Sequence, residues 1–277
     1  DINGNIFDPQ MGTTDLKNNN VKFIGDPQKR IEEDYLRIVR FIRFKIMYND
    51  KVEKTTDNAI KQSLNGIKKI SKERILIELY KILELKNFVH LNESVYLKEI
   101  FILIFPEFEN LNRLDRLIKV CNHSQITKEL LLAALLIDEK NSHEYFGHKY
   151  NVSNNIKDNL KLLARNYKYS KDNKDFFYKN LEKNVYLNGK NHLIYINILN
   201  FVIDAKYKLK DFSKNFKRIL KSKKHQFKID GKYLIDRGMK QGTQMGIVLN
   251  KIEEEWIRNN FKITKSKIEE IISYYSN

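Results

Sequence analysis

Three prolines, ten glycines and a single cysteine among 277 residues narrow the possibilities at the outset. With Cys121 alone, one chain can build neither a disulfide framework nor a thiolate zinc site, and a reducing, cytoplasmic setting is expected. Sparse proline and glycine mean sparse turn chemistry, which argues against a sandwich of short strands and for long helices joined by polar connectors. No apolar run approaches the length of a bilayer span; the longest, LLLAALLI at 130–137, reads as a buried helix, and no membrane is expected as a partner. The chain opens on Asp1 rather than Met, with no charged-then-apolar leader, so the expectation is that its true start is missing. Acid is the scarcer charge. The 35 Asp and Glu face 51 Lys and Arg, and the net charge of +16 calls for a polyanionic partner, nucleic acid first.

What is present reads as mostly α. Residues 1–25 stand apart: NIFDPQMG and then VKFIG read as strand, glycine turn and short strand. At Asp26-Pro27 an N-cap precedes proline at the first helical position, where its missing N–H costs nothing, so a helix starts there. Ile31, Tyr35, Ile38, Val39, Ile42 and Ile46 recur at three- and four-residue spacing and predict one inward stripe along it. A second helix is expected at about 55–65, closed by Gly66, and Ser71 opens a third running to about Leu85. YINILNFVI at 195–203 has strand propensity, yet helix is the expectation because the chain's Ile, Lys and Asn bias inflates β-propensity everywhere. The segment 206–224 carries eight lysines and Arg218 against one acid, Asp211, with Tyr207, Phe212 and Phe216 interleaved. Such a run is usually a solvated face; the interleaved aromatics and the overall charge favour RNA contact. Last comes a glycine-punctuated region feeding an amphipathic helix with Val248, Ile252 and Trp256 on one face.

The most informative stretch is EDYLRIVRFIR at 33–43, which spaces Asp34, Arg37, Arg40 and Arg43 by three residues on the expected first helix. Each step turns the side chains by about −60°, and the four span roughly 13–14 Å of helix axis, comparable to an extended nucleoside triphosphate. Asp34 and Arg37 set an acceptor beside a donor, and cytosine and adenine each present an amine beside a ring-nitrogen acceptor. Uracil and guanine would meet like partners and be rejected. Arg40 and Arg43 suit phosphate oxygens, since a guanidinium stays charged and bonds in a fork. The competing reading is that Glu33 and Arg37, at i and i+4, form a solvated ion pair worth a few tenths of a kcal/mol.

The flanking residues tip that balance. DPQMGTTDLKNNNVKFIGDPQKRIEEDYLRIVRFIRF resembles the head-to-neck junction of the class II tRNA nucleotidyltransferases, the CCA-adding and bacterial poly(A) polymerase family. ISKERILIELYKIL at 70–83 looks like that family's second neck signature, and FKIDGKYLIDRGMKQGTQMGIVLNKIEEEWIRNNF at 227–261 is similar to its tail. The resemblance implies an elongated set of helices: a short β remnant of the head at 1–25, a nucleotide-selecting neck at 26–88, a helical body at 89–205 and a basic tail at 206–277. It implies that Asp34 and Arg37 pair with the incoming base and that Arg40 and Arg43 meet the nucleotide, with ATP and CTP as substrates and tRNA as partner. On the tail, Lys217, Arg218 and Lys221 are the expected RNA-binding residues. The family's catalytic head, with its paired metal-binding Asp-x-Asp, has no counterpart here, so no catalytic or metal residue is assigned. Mg²⁺ is expected on a head supplied elsewhere, such as a separate chain. Asp8 and Asp15 read as caps or turn formers rather than metal ligands. Tyr233 stands where the family's tail usually has an acid.

Two weaker signals are set aside. His143 and His148 of HEYFGH lie about 140° apart on a helix, one residue too far for a zincin pair, and surface histidines are the expectation. Gly242 to Gly246 lacks the Lys-Ser/Thr ending of a P-loop and reads as a turn before a helix. The expected function is template-independent addition of C and A to tRNA 3′ ends, this chain supplying base selection, triphosphate contacts and tRNA binding. The alternatives are poly(A) addition within the same family and a non-enzymatic helical RNA-binding protein.

Overall fold

The computed structural model describes residues 2–48 and 53–276, and among these every regular element is helical. The α-helices run α1 Gly12–Lys17, α2 Pro27–Glu33, α3 Leu36–Tyr48, α4 Lys54–Ser63, α5 Lys72–Leu83, α6 Val95–Ile104, α7 Leu114–Leu117 and α8 Lys128–Leu136. They continue with α9 Ser142–Lys149, α10 Asn154–Asp172, α11 Leu181–Asn188, α12 Lys190–Ile203, α13 Leu209–Lys221, α14 Gly231–Ile235, α15 Thr243–Arg258 and α16 Lys265–Ser276. The chain divides into two compact units: Asp1–Lys168 with Tyr195–Phe212, and Tyr169–Ile194 with Ser213–Asn277.

The β remnant expected at the N-terminus is not found among the described residues. Asp8 instead accepts from the backbone N–H groups of Gly12 and Thr13, both at 2.7 Å, and from the Thr13 hydroxyl, so the chain closes into the short α1. Those three bonds hold the Asp8 carboxyl below its usual range. Asp15 is likewise a local partner, ion-paired with Lys22 at 2.8 Å and bonded to Asn20. The segment VKFIG is irregular, and Phe23 stacks on Phe41 of α3 with ring centroids 5.1 Å apart. An aromatic stack here takes the place of the strand pairing that the β-branched residues suggested.

In the first unit the caps are as the residues foretold: Asp26 accepts from the Lys29 N–H and Ser71 from the Arg74 N–H. Ile31, Ile38, Val39, Ile42 and Ile46 are all buried, and α3 packs on α5 and α6. The long helix expected from residue 26 is in fact two. It breaks at Asp34, whose φ of −157° and ψ of 104° are extended. Gly66 does not close α4, which ends at Ser63; it lies within a 3-10 segment, Leu64–Lys69, with its backbone against the Tyr35 ring. Beyond the neck, Phe88, Phe101, Phe105, Phe108, Phe146 and Tyr150 form a continuous aromatic cluster, each ring edge-on or tilted to a neighbour. Every residue of α8 from Leu130 to Leu136 is buried, as an all-apolar helix requires. YINILNFVI is helix, within α12, despite its strand propensity. Its buried Asn197 donates to the Phe212 carbonyl and accepts from the Tyr207 hydroxyl, satisfying polar groups that would otherwise oppose burial. His143 corrects the surface reading: it is buried, and burial lowers its pKa, whereas His148 is exposed.

The second unit has its own small core of Leu234, Met239, Val248, Ile252, Ile268 and Ile272. Trp256, a turn beyond Ile252, joins Tyr186, Phe227 and Phe261 in a satellite cluster, and His225 stacks on Phe261 at 3.7 Å. No described helix is long and apolar enough to cross a membrane.

Candidate functional site

The break at Asp34 is built by its own groups. Its main-chain N–H closes α2 on the Ile31 carbonyl, and its Oδ1 accepts from the Leu36 N–H, starting α3. One residue therefore caps two helices, and its side chain is fixed at their junction. Oδ2 accepts from Arg74 of α5 at 2.8 Å, forty residues on. A carboxylate offers about four acceptor positions, so two remain for a ligand.

Arg37 is the second residue of α3. Its Nη1 donates to the Arg30 carbonyl at 2.7 Å and to Glu33 at 2.6 Å, which orients the guanidinium along the edge of Asp34's junction. The Glu33 carboxyl is held below its usual range, first by the hydrogen bond from Arg37. The solvated Glu33–Arg37 pair and a positioned Arg37 are thus both present, and the pair is what does the positioning.

Farther along, Arg40 and Arg43 meet one buried acid. Glu78 of α5 is 2 % exposed; Arg40 Nε lies 3.5 Å from its Oε1 and Arg43 Nε 3.0 Å from its Oε2, with the Arg43 guanidinium over Phe44. Lys81 reaches the same carboxylate at 3.1 Å. Burial alone would raise the Glu78 pKa, but the Lys81 hydrogen bond and the nearby Arg43 charge outweigh it and hold the acid ionised. The structure thereby brings Asp34, Arg40 and Arg43 against α5, while Arg37 is tied to Arg30 and Glu33 of α2, and Asp34 sits at a helix junction rather than on the expected continuous ladder.

Arg74 and Glu78 escaped the sequence reading as site residues. Their one signal was the i, i+4 spacing, which puts both on one face of α5. Which face that is depends on pairing with residues 35 to 40 positions earlier, and no local pattern reveals it.

In the second unit Lys217, Arg218 and Lys221 of α13 line a groove of about 710 Å³, together with Tyr178, Lys183, Arg258 and Phe261. Arg218 lies over the Tyr178 ring at 4.8 Å, and the one lining acid, Glu182, is paired with His225 at 2.6 Å. Cations on one wall with an exposed ring beside them suit a nucleic-acid backbone and an unstacked base. Asn260 and Phe261 both have positive φ, 53° and 60°, a conformation unusual for an aromatic residue and found here at the groove's edge.

A family model described as the probable RNA and SrmB-binding site of polymerase A matches residues 51–111. The CCA-adding enzyme of Ligilactobacillus salivarius is 28 % identical over 276 residues, covering 94 % of this chain and 64 % of that protein. Human mitochondrial CCA tRNA nucleotidyltransferase 1 is 26 % identical over 99 % of this chain and 62 % of its own length. This chain therefore spans somewhat under two thirds of these two relatives. Among solved structures, the Bacillus stearothermophilus CCA-adding enzyme in complex with CTP superposes with a TM-score of 0.62 at 19 % identity, over 99 % of this chain and 70 % of that one. The Thermotoga maritima CCA-adding enzyme complexed with tRNA gives 0.57 at 20 %, over 95 % and 66 %. These likenesses define the chain's fold as that of the matched part of these solved structures. Over nearly its whole length the chain is similar to CCA-adding enzymes.

Proposed function

We propose that this chain acts in template-independent addition of C and A to tRNA 3′ ends, selecting CTP and ATP at Asp34 and Arg37, gripping the triphosphate with Arg40 and Arg43, and docking tRNA through Lys217, Arg218 and Lys221. The observation that carries the reading is the order along the chain from the α2–α3 junction: a junction carboxylate with acceptor capacity to spare, a guanidinium anchored to α2, and then a cation cluster about two turns on. That order matches a nucleotide from its pairing edge to its charged tail. The names of the relatives support the product, and their complexes with CTP and with tRNA support the ligands. Mg²⁺ does not fit the residues described: no three His, Cys, Asp or Glu among them group closely enough to hold a metal ion. Its place would be on a nucleotidyltransferase head completing the enzyme, and the reaction would run in the cytoplasm.

The match to a polymerase A segment favours poly(A) addition as a second reading. Product sequencing separates the two. The head-completed enzyme, given a tRNA lacking its 3′ end together with CTP and ATP, is expected to stop after C, C and A. Long tracts of A alone would overturn the CCA reading.

The docking groove has a separate test. Lys217→Gln, Arg218→Gln and Lys221→Gln combined are expected to lower the slope of log affinity against log salt by roughly two to three, because fewer counterions are displaced. Filter binding of tRNA at several salt concentrations reads that slope, and an unaltered value rejects this surface.

A further inference from the structure

We infer that Lys81 is a ligand of the incoming nucleotide's polyphosphate, standing beside Arg40; the inference rests on the nucleotide-site reading above. Three cations, Arg40, Arg43 and Lys81, crowd one buried carboxylate, Glu78, so the cluster carries two positive charges in excess. Like charges this close repel unless an anion joins them.

The cations are not equivalent. Arg43 is turned inward, its side chain 18 % exposed, bonded to Glu78 Oε2 and covered by Phe44. Arg40 and Lys81 are each about half exposed, at 48 % and 49 %, and both lean on the other oxygen, Oε1. Sharing that oxygen keeps their nitrogens within about 7 Å of each other, a gap a phosphate group can bridge by hydrogen-bonding both. Glu78 thus holds the pair in place while about half of each cationic side chain stays exposed.

The helix gives the same polarity. Arg74, Glu78 and Lys81 fall at i, i+4 and i+7 on one face of α5. Arg74 touches Asp34, at the base end. Lys81 lies about 10 Å of helix axis farther on, at the end where Arg40 sits. The second helix therefore repeats the order of the first, pairing edge to phosphate. An ammonium group is a compact charge with three rotatable donors, suited to phosphates that shift during transfer. The competing account is an i, i+3 ion pair with no ligand, half-exposed on the Lys81 side.

Titration calorimetry of this chain with CTP, ATP, inorganic tripolyphosphate and CMP decides between them. Lys81→Met is expected to weaken CTP, ATP and tripolyphosphate each by roughly tenfold, as loss of a charge-assisted contact does, while changing CMP binding less than twofold. Lys81→Arg should retain binding within about threefold. Its half-exposed position makes Lys81→Met compatible with the fold, which circular dichroism checks. Equal triphosphate binding by wild type and Lys81→Met would overturn the inference and leave the nucleotide site standing. A uniform loss for CMP and CTP would also overturn it, by showing a purely structural role. Failure of the wild-type chain to bind any of the nucleotides or tripolyphosphate would overturn both.

Discussion

Asp34→Ala is expected to reduce the preference for CTP over UTP, and for ATP over GTP, by roughly 30-fold in the head-completed enzyme. The expectation follows from what the carboxylate has left to offer. Two of its acceptor positions serve the Leu36 N–H and Arg74, and those bonds fix the direction of the others. A base amine presented there is accepted; a base carbonyl meets a like acceptor and loses its water partner without replacement. An unmatched polar contact of this kind is worth about 1–3 kcal/mol, a factor of roughly 5 to 150. Alanine removes both the reward and the penalty, so the discrimination falls from both sides. Alanine also deletes a helix cap, at a cost of about 1 kcal/mol. Asp34→Asn separates the two effects, because its amide oxygen can keep the cap on Leu36 while the carboxylate is gone. Specificity should fall in both variants, with stability lost mainly in the alanine form. The readout is the ratio of kcat/KM for CTP against UTP and for ATP against GTP. Ratios within twofold of wild type would remove Asp34 from base selection.

The parts of this molecule that the sequence made legible are those set by local rules. Asp26-Pro27 and Ser71 cap helices because a side-chain oxygen beside a free N–H acts over three residues. The Ile31 to Ile46 stripe and LLLAALL bury themselves because periodicity alone decides which side is apolar. What stayed hidden depends on partners far along the chain. The stripe reads straight through Asp34, since Ile31 and Ile38 remain on the same core whether or not the helix is continuous. The break is chosen by the Leu36 N–H and by Arg74, and only the second helix supplies Arg74. Glu78 looks like any surface acid of an amphipathic helix until Arg40 and Arg43 are brought over it. At the N-terminus the error ran the other way: β-branched residues promised strand, but among the described residues no strand stands beside them, and Asp8 accepts from the N–H groups of Gly12 and Thr13 at the start of a helical turn. Local chemistry thus located the candidate site, and long-range pairing gave it its geometry.

Gly66→Ala carries the largest structural effect expected from a single methyl group in this chain. A Cβ at Gly66 would stand 2.1 Å from Cδ1 and Cε1 of Tyr35 and 2.5 Å from its Cγ, distances no relaxed contact allows. The positive-φ argument does not apply at this glycine; the requirement is space for a ring. That ring belongs to the residue next to Asp34, in the short junction between α2 and α3, and Lys69 lies over it at 5.6 Å. The ring has to move, and the junction that aims Asp34 moves with it. Overpacking of this kind costs about 1–3 kcal/mol, which for a unit of this size lowers Tm by roughly 5 °C. The functional loss should be larger, since a displacement of about 1 Å in a positioning group can cost roughly 100-fold in rate. Tyr35→Ala removes the ring that Gly66→Ala would strike, so the double variant should recover stability relative to the sum of the singles, a non-additivity of at least about 1 kcal/mol. Thermal melts of the four proteins, with kcat/KM for CTP beside them, test the coupling. Additive melts, or a Gly66→Ala enzyme with wild-type kinetics, would show that the junction does not depend on this contact.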